Sequence, residues 1–187
     1  MKTESKIICA LDLQNIKEII KLVTNINFDI IFKFGMEFFY NFGIDGIHEI
    51  KKIKPNIKIF LDLKLHDIPN TVSKSIIPLL KNIEPKILTI HVAGGRIMME
   101  EAVKVIEKTS KELRIQRPLI MGVTILTSLT QENLDEMGHY GKVKDYVLNY
   151  ASLAKKSGLD GVVCSALETK KIKNELGNDF KIITPGI

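Results

Sequence analysis

The sequence predicts an α/β protein built as a (β/α) barrel, and three observations predict it. Short β-branched and aliphatic runs recur along the chain, amphipathic stretches lie between them, and polar residues collect at the carboxyl ends of the runs. The first two give strands and helices in alternation, joined by right-handed crossovers. The third selects a barrel over a doubly wound open sheet, because the carboxyl rim is where barrels assemble chemistry. The expectation is a (β/α)8 TIM barrel of which residues 1–187 form a single, C-terminally incomplete domain of about seven β/α units, the eighth strand and helix being absent.

The first strand is expected from Lys6 to Asp12, followed by a helix whose Ile16, Ile19, Ile20 and Val23 recur at helical spacing. The second runs from Ile30 to Gly35 and carries Lys33 among apolar neighbours. The third spans Lys58 to Lys64, with Asn70 or Thr71, near Pro69, suited to open the next helix. Ile87 to Val92 forms the fourth. Past Gly94 and Gly95 a helix should bury Ile97, Val103 and Ile106. Leu119 to Thr124 is the fifth strand, Gly158 after Lys155 and Lys156 stops a helix, and Gly161 to Ser165 and Lys181 to Gly186 complete the set. Each run reads as a buried parallel strand.

A chain of 187 residues that is 45% hydrophobic can bury one sizeable core. Met1 to Lys6 is polar and charged, and no apolar run approaches the roughly 20 residues that span a bilayer, so a soluble, cytoplasmic protein with no membrane partner is expected. Cys9 and Cys164 lie in strand-like runs without zinc or disulfide spacing and read as reduced core residues. The net charge of +5, from 27 Lys and Arg against 22 Asp and Glu, is spread over segments such as Lys51 to Lys54 and Lys170 to Lys173, read as solvated helix faces. With only 6% aromatic residues, a nucleic-acid stacking platform is not evident. The sequence has no GxGxxG, no GxxxxGK[ST] and no serine nucleophile elbow.

Asp12 ends the first strand, Lys33 lies near the end of the second, Asp62 and Lys64 end the third, His91 the fourth, and Thr124 to Ser128 the fifth. Asp62 and Lys64 share one strand face, opposite Leu61 and Leu63. A single buried ion pair would serve structure alone; charges of alternating sign converging from three strands require a purpose that offsets their removal from water. Carboxylates on either side orient a lysine that can protonate a developing carbanion, and a carboxylate facing an anionic substrate group favours its loss when binding energy elsewhere offsets the strain.

Other marks are weaker. "HVAGGR" (His91 to Arg96) reads as a tight turn before it reads as an anion site, and His91 as an ordered rim histidine. His48, His66 and His139 lack a metal-binding pattern. Thr127 and Ser128 either bind substrate or cap the next helix.

These residues resemble the orotidine 5'-phosphate decarboxylase family. The likeness runs in order through "CALD" (Cys9 to Asp12), "FKFGMEFF" (Phe32 to Phe39), "LDLKLHDIPNT" (Leu61 to Thr71), "HVAGG", "GVTILTS" (Gly122 to Ser128), "GLDGVVCS" (Gly158 to Ser165) and "TPGI" (Thr184 to Ile187). The resemblance implies a homodimeric barrel that converts orotidine 5'-monophosphate to UMP and CO2 in pyrimidine biosynthesis, with no metal or organic cofactor and no nucleic-acid partner. By that likeness Lys64 protonates C6, Asp62 lies against the departing carboxylate, Lys33 holds Asp62 and contacts the ribose, and Asp12 binds a ribose hydroxyl. Asp67, Ile68 and Thr71 reach the partner subunit's site, Thr127 contacts the pyrimidine, and Pro185 also touches substrate. In the family an arginine follows Pro-Gly-Ile, and a second arginine with a glutamine-bearing loop grips the phosphate; this sequence stops at Ile187. Either a C-terminal part carrying that grip follows Ile187, or the protein is a truncated form expected to bind substrate poorly; if it ends there, an inactive remnant with an unpaired edge between first and seventh strands is a further alternative. Two rivals remain. The magnesium-dependent ketogulonate-phosphate decarboxylases and hexulose-phosphate synthases share D-x-K-x-x-D but carry an acidic residue where this chain has Lys33. A non-catalytic nucleotide or nucleic-acid binder is the alternative of another class.

Overall fold

A computed structural model of the chain describes residues 7–186. Lys6, expected to open the first strand, and Ile187, the last residue of "TPGI", lie outside the described residues. Strand and helix alternate as expected: β1 (Ile8–Ala10), α1 (Ile16–Asn25), β2 (Ile31–Gly35), α2 (Met36–Ile53), β3 (Lys58–Leu65), α3 (Pro69–Ile83), β4 (Ile87–His91), α4 (Gly95–Leu113), β5 (Leu119–Val123), α5 (Gln131–Glu136), α6 (Val143–Lys156), β6 (Gly161–Val163), α7 (Thr169–Leu176) and β7 (Lys181–Ile183). The strands form one sheet in the order β1-β2-β3-β4-β5-β6-β7, every neighbouring pair parallel. Sequential order with a helix in each crossover is the topology of a (β/α) barrel wall, and a doubly wound sheet would reverse its strand order partway.

Side-chain alternation divides the apolar residues into two layers. Outward residues such as Phe32, Phe34, Leu61, Leu88, Ile90 and Val162 pack against the helices in the main core. Inward residues form a second cluster of Phe60, Ile87 and Met121, joined by Ile8, Ile31, Leu119, Val163 and Ile183. All seven strands contribute to it, so the sheet is curled enough to bring its inner face around a shared interior.

Several strands end sooner than the sequence suggests. β1 stops at Ala10 rather than Asp12, with one further ladder bond, Leu11 N–H to the Lys33 carbonyl at 3.0 Å, before the chain turns away. β7 stops at Ile183. α3 begins at Pro69, one residue before Asn70, because proline's fixed φ and missing N–H suit the first helical position. Gly158, at φ +86°, follows the end of α6 as expected of a helix stop.

One helix face departs from expectation. In α4, Ile97 is 67% exposed, whereas Met98, Met99, Ala102 and Ile106 are fully buried. The buried stripe starts one residue later, because two consecutive methionines are long enough to reach both edges of the groove beneath. The lysine runs are also more than solvated faces. Lys51 Nζ donates to the Ile83 carbonyl at 3.1 Å, Lys54 Nζ to the carbonyls of Val23 and Ile26 at 3.0 and 2.6 Å, and Lys173 Nζ to those of Asn178 and Phe180 at 2.6 and 2.7 Å. These cations are committed to carbonyls at helix and loop ends. Among the described residues no helix is long and apolar enough to cross a membrane.

Candidate active site

The site begins one step above the inner apolar cluster. On three adjacent strands the inward position is followed two residues later by a polar one: Ile31 by Lys33, Phe60 by Asp62, Ile87 by Thr89. Period-two alternation thus stacks a charged layer on an apolar floor, and the floor excludes water from below.

The charges meet in a row. Lys33 Nζ lies 3.2 Å from Asp12 Oδ1 and 3.9 Å from Asp62 Oδ2, and Lys64 Nζ lies 2.9 Å from the same Asp62 oxygen. Asp62 is the innermost member at 9% exposure, and Asp12 at the rim is exposed. Gly35 makes room for the row: a Cβ built there would stand 3.1 Å from Lys33 Nζ and 3.4 Å from Asp12 Oδ1.

The backbone at Lys64 is unusual. Its φ is +50°, a region L residues avoid. The register explains why. Leu61 pairs with Leu88 but Leu65 pairs with Ile90, so three residues of β3, Asp62 to Lys64, stand opposite the single residue Thr89 of β4. The bulge folds Asp62 and Lys64 back toward one another. Thr89, fully buried, closes it: its Oγ1 accepts the Lys64 N–H at 2.9 Å and donates to Asp62 Oδ1 at 3.0 Å. Thr89 is the member that sequence reasoning missed, since one threonine in "ILTIH" is an ordinary strand residue.

His91 and His66 stand at the rim above β3 and β4, their rings stacked at 5.1 Å with a 20° angle between planes. His91 Nδ1 accepts the Ala93 N–H at 3.3 Å, as an ordered rim histidine should. Burial lowers its pKa, and the nearby His66 and Lys64 lower it further. "HVAGGR" forms a short turn in which Gly95, at φ +84°, returns its N–H to the Val92 carbonyl and opens α4.

The remaining predicted site residues lie apart from the row. Asp67, Ile68 and Thr71 are exposed at the start of α3, and Asp67 Oδ1 accepts the Ile68 N–H at 2.7 Å. Among the described residues no ion pair reaches Asp67. Pro185 is exposed beyond β7. Thr127 and Ser128 are exposed in a turn beyond β5 and do not cap the next helix; Thr130 does, in a reciprocal capping box with Asn133. Ser128 also has a candidate partner three residues on, Gln131, but that side chain is taken up by Asp135, the Gly141 carbonyl and the Val143 N–H, whereas Asn133 is turned back to Thr130.

The row of alternating charges at a barrel's carboxyl rim is matched by likeness to known proteins. A family model described as "Orotidine 5'-phosphate decarboxylase / HUMPS family" matches residues 5–187. A protein of Wolbachia sp. subsp. Brugia malayi named orotidine 5'-phosphate decarboxylase is 46% identical over 182 residues, 97% of this chain and 76% of that protein. One of the same name from Staphylococcus epidermidis is 46% identical over 181 residues, 96% of this chain and 75% of its own length. The crystal structure of orotidine 5'-phosphate decarboxylase from Lactobacillus acidophilus superimposes with a TM-score of 0.87 at 39% identity, covering 96% of this chain and 80% of that one. The expected barrel and the charge row at its rim thus have one source: the chain belongs to the orotidine 5'-phosphate decarboxylase / HUMPS family.

Proposed function

We propose that this chain decarboxylates orotidine 5'-monophosphate to UMP and CO2 in pyrimidine biosynthesis, with Lys64 as proton donor. The observation that carries the reading is the Asp12, Lys33, Asp62, Lys64 row, with Lys64 Nζ 2.9 Å and Lys33 Nζ 3.9 Å from one oxygen of a nearly buried carboxylate. Asp62 lies against the substrate carboxylate and raises its energy, an effect useful only because binding elsewhere holds the substrate in place. The C6–carboxylate bond breaks with its electron pair left on C6, CO2 departs, and the Lys64 ammonium gives its proton to C6, ending as a neutral amine that solvent recharges. Lys33 and Asp12 hold the ribose, and Thr127 and Pro185 close on the substrate from the other rim loops.

Asp67, Ile68 and Thr71 stand exposed in the first turn after the catalytic strand, where a second copy can receive them. We assign them to the partner's site in a homodimer, with Asp67 completing an Asp-Lys-Asp set around Lys64. The family model also spans sister enzymes, but the relatives compared above carry the decarboxylase name. Lys33 argues the same way: an ammonium 3.2 Å from Asp12 and 3.9 Å from Asp62 occupies the place a magnesium ion would need.

The test is the loss of substrate absorbance with Lys64→Ala against wild type, alongside a far-ultraviolet dichroism spectrum. The variant should keep the wild-type spectrum and lose turnover; unchanged turnover would sink the reading. Activity that EDTA abolishes would revive the magnesium-dependent alternative.

A further inference from the structure

We infer that Thr89 is a positioning residue for proton transfer, one hydroxyl that sets the orientation of both Asp62 and Lys64. The inference rests on the decarboxylase reading and names a part of that site which touches neither substrate nor reacting atoms.

Three observations carry it. Thr89 is fully buried, so its hydroxyl has no water to compete for its bonds. A hydroxyl has one proton to give, and Thr89 gives it to Asp62 Oδ1 at 3.0 Å, which leaves its lone pairs to receive the Lys64 N–H at 2.9 Å. The bulge deprives Lys64 of a ladder partner, since Leu61 pairs with Leu88 and Leu65 with Ile90. The threonine side chain therefore stands in for a missing backbone acceptor, and holds Lys64 at φ +50° where its side chain folds back on Asp62.

The two bonds act on the chemistry through division of labour at Asp62. Oδ1 is tethered to Thr89, and Oδ2 alone faces Lys64 at 2.9 Å and Lys33 at 3.9 Å. With one oxygen fixed the carboxylate cannot rotate, so the repelling oxygen and the proton donor keep one relative geometry. A threonine that merely satisfied buried groups would affect folding; one that sets geometry affects kcat at constant fold.

The experiment compares Thr89→Val, which keeps the shape and removes the hydroxyl, with Thr89→Ser, which keeps the hydroxyl and removes the methyl. Steady-state kinetics on orotidine 5'-monophosphate, melting temperature and exchange of the Lys64 amide proton are measured for each. Thr89→Val should lower kcat about 10- to 100-fold, the scale of misplacing a reacting group, and change KM less than about threefold because the ribose contacts remain. Its Lys64 amide should exchange faster than in wild type. Thr89→Ser should stay within about threefold of wild type in kcat and keep the amide protected. A folded Thr89→Val with wild-type kcat overturns the inference while the decarboxylase reading stands. So does a folded Thr89→Ser that loses tenfold or more, a result readable even if Thr89→Val does not fold. A wild type without turnover overturns the decarboxylase reading instead, and an unprotected Lys64 amide in wild type overturns the tether whatever the activity.

Discussion

Asp62→Asn removes the one negative charge shared by two ammonium groups while keeping the side chain's shape. Its cost can be worked from the geometry. The Asp62 side chain is 12% exposed and those of Lys33 and Lys64 are 21% and 27% exposed, so an effective dielectric of about 20 is appropriate. At that value the 2.9 Å contact with Lys64 is worth about 6 kcal/mol and the 3.9 Å contact with Lys33 about 4 kcal/mol. Several kcal/mol return because the carboxylate no longer has to be desolvated. The net loss is about 2 to 4 kcal/mol, which for a chain of this size lowers the melting temperature by about 4 to 16 °C. Asp12→Asn is the control. The Asp12 side chain is 50% exposed, so its 3.2 Å contact with Lys33 is solvent-screened and its loss should cost under about 1 kcal/mol. The assay is thermal unfolding of both variants at neutral pH in low and in moderate salt. Equal losses, or an Asp62→Asn melting temperature within a degree of wild type, would refute the claim that the row is graded from a buried centre to a solvated end.

Two further outcomes follow from the thiols and the rim histidines. Burial pushes the Cys164 thiol up to about 12, with Glu168 adding to the shift, and burial with Asp12 raises Cys9 as well, so neither should alkylate readily at pH 8 in the native protein; rapid native labelling of Cys164, read by mass spectrometry, would contradict its placement. The pKa of His91 is lowered in the folded state, so the unfolded chain takes up a proton first and stability should fall as pH drops through the ordinary histidine range near about 6.5. His91→Asn, which keeps an acceptor for the Ala93 N–H, should flatten that slope, whereas an unchanged slope would assign it to other groups.

The fold was legible because parallel strands buried on both faces must be apolar throughout, and runs such as "IIFKFG" and "ILTIHV" announce themselves. The charges were legible for the converse reason, since Lys33 and Asp62 interrupt such runs. What stayed hidden was whatever depends on a neighbour far away in sequence. Nothing local to Lys64 signals a positive φ, because the conformation is set by Thr89, 25 residues on. Two local details were missed as well, for a different reason: the cap beyond β5 was a choice among several hydroxyls within four residues, and the stripe of α4 among three consecutive apolar side chains, Ile97, Met98 and Met99. Asp67 and Thr71 could be singled out by motif, but their surroundings within one chain are solvent.

The β3 bulge also bears on how the chain tolerates change in length. Four steps along β3 are matched to two along β4, a surplus of two residues and therefore an even one. An even surplus leaves every side chain beyond it on the face it would have held in a regular ladder. Deleting a single residue between Leu61 and Leu65 would turn the rest of the strand inside out, sending Leu65 toward the interior. Deleting two would restore a plain ladder and preserve the barrel wall and its core, but with only Asp62, Leu63 and Lys64 to choose from it must remove Asp62 or Lys64 along with the fold-back. In this wall the scaffold and the reactive pair can be separated by two residues, but not by one.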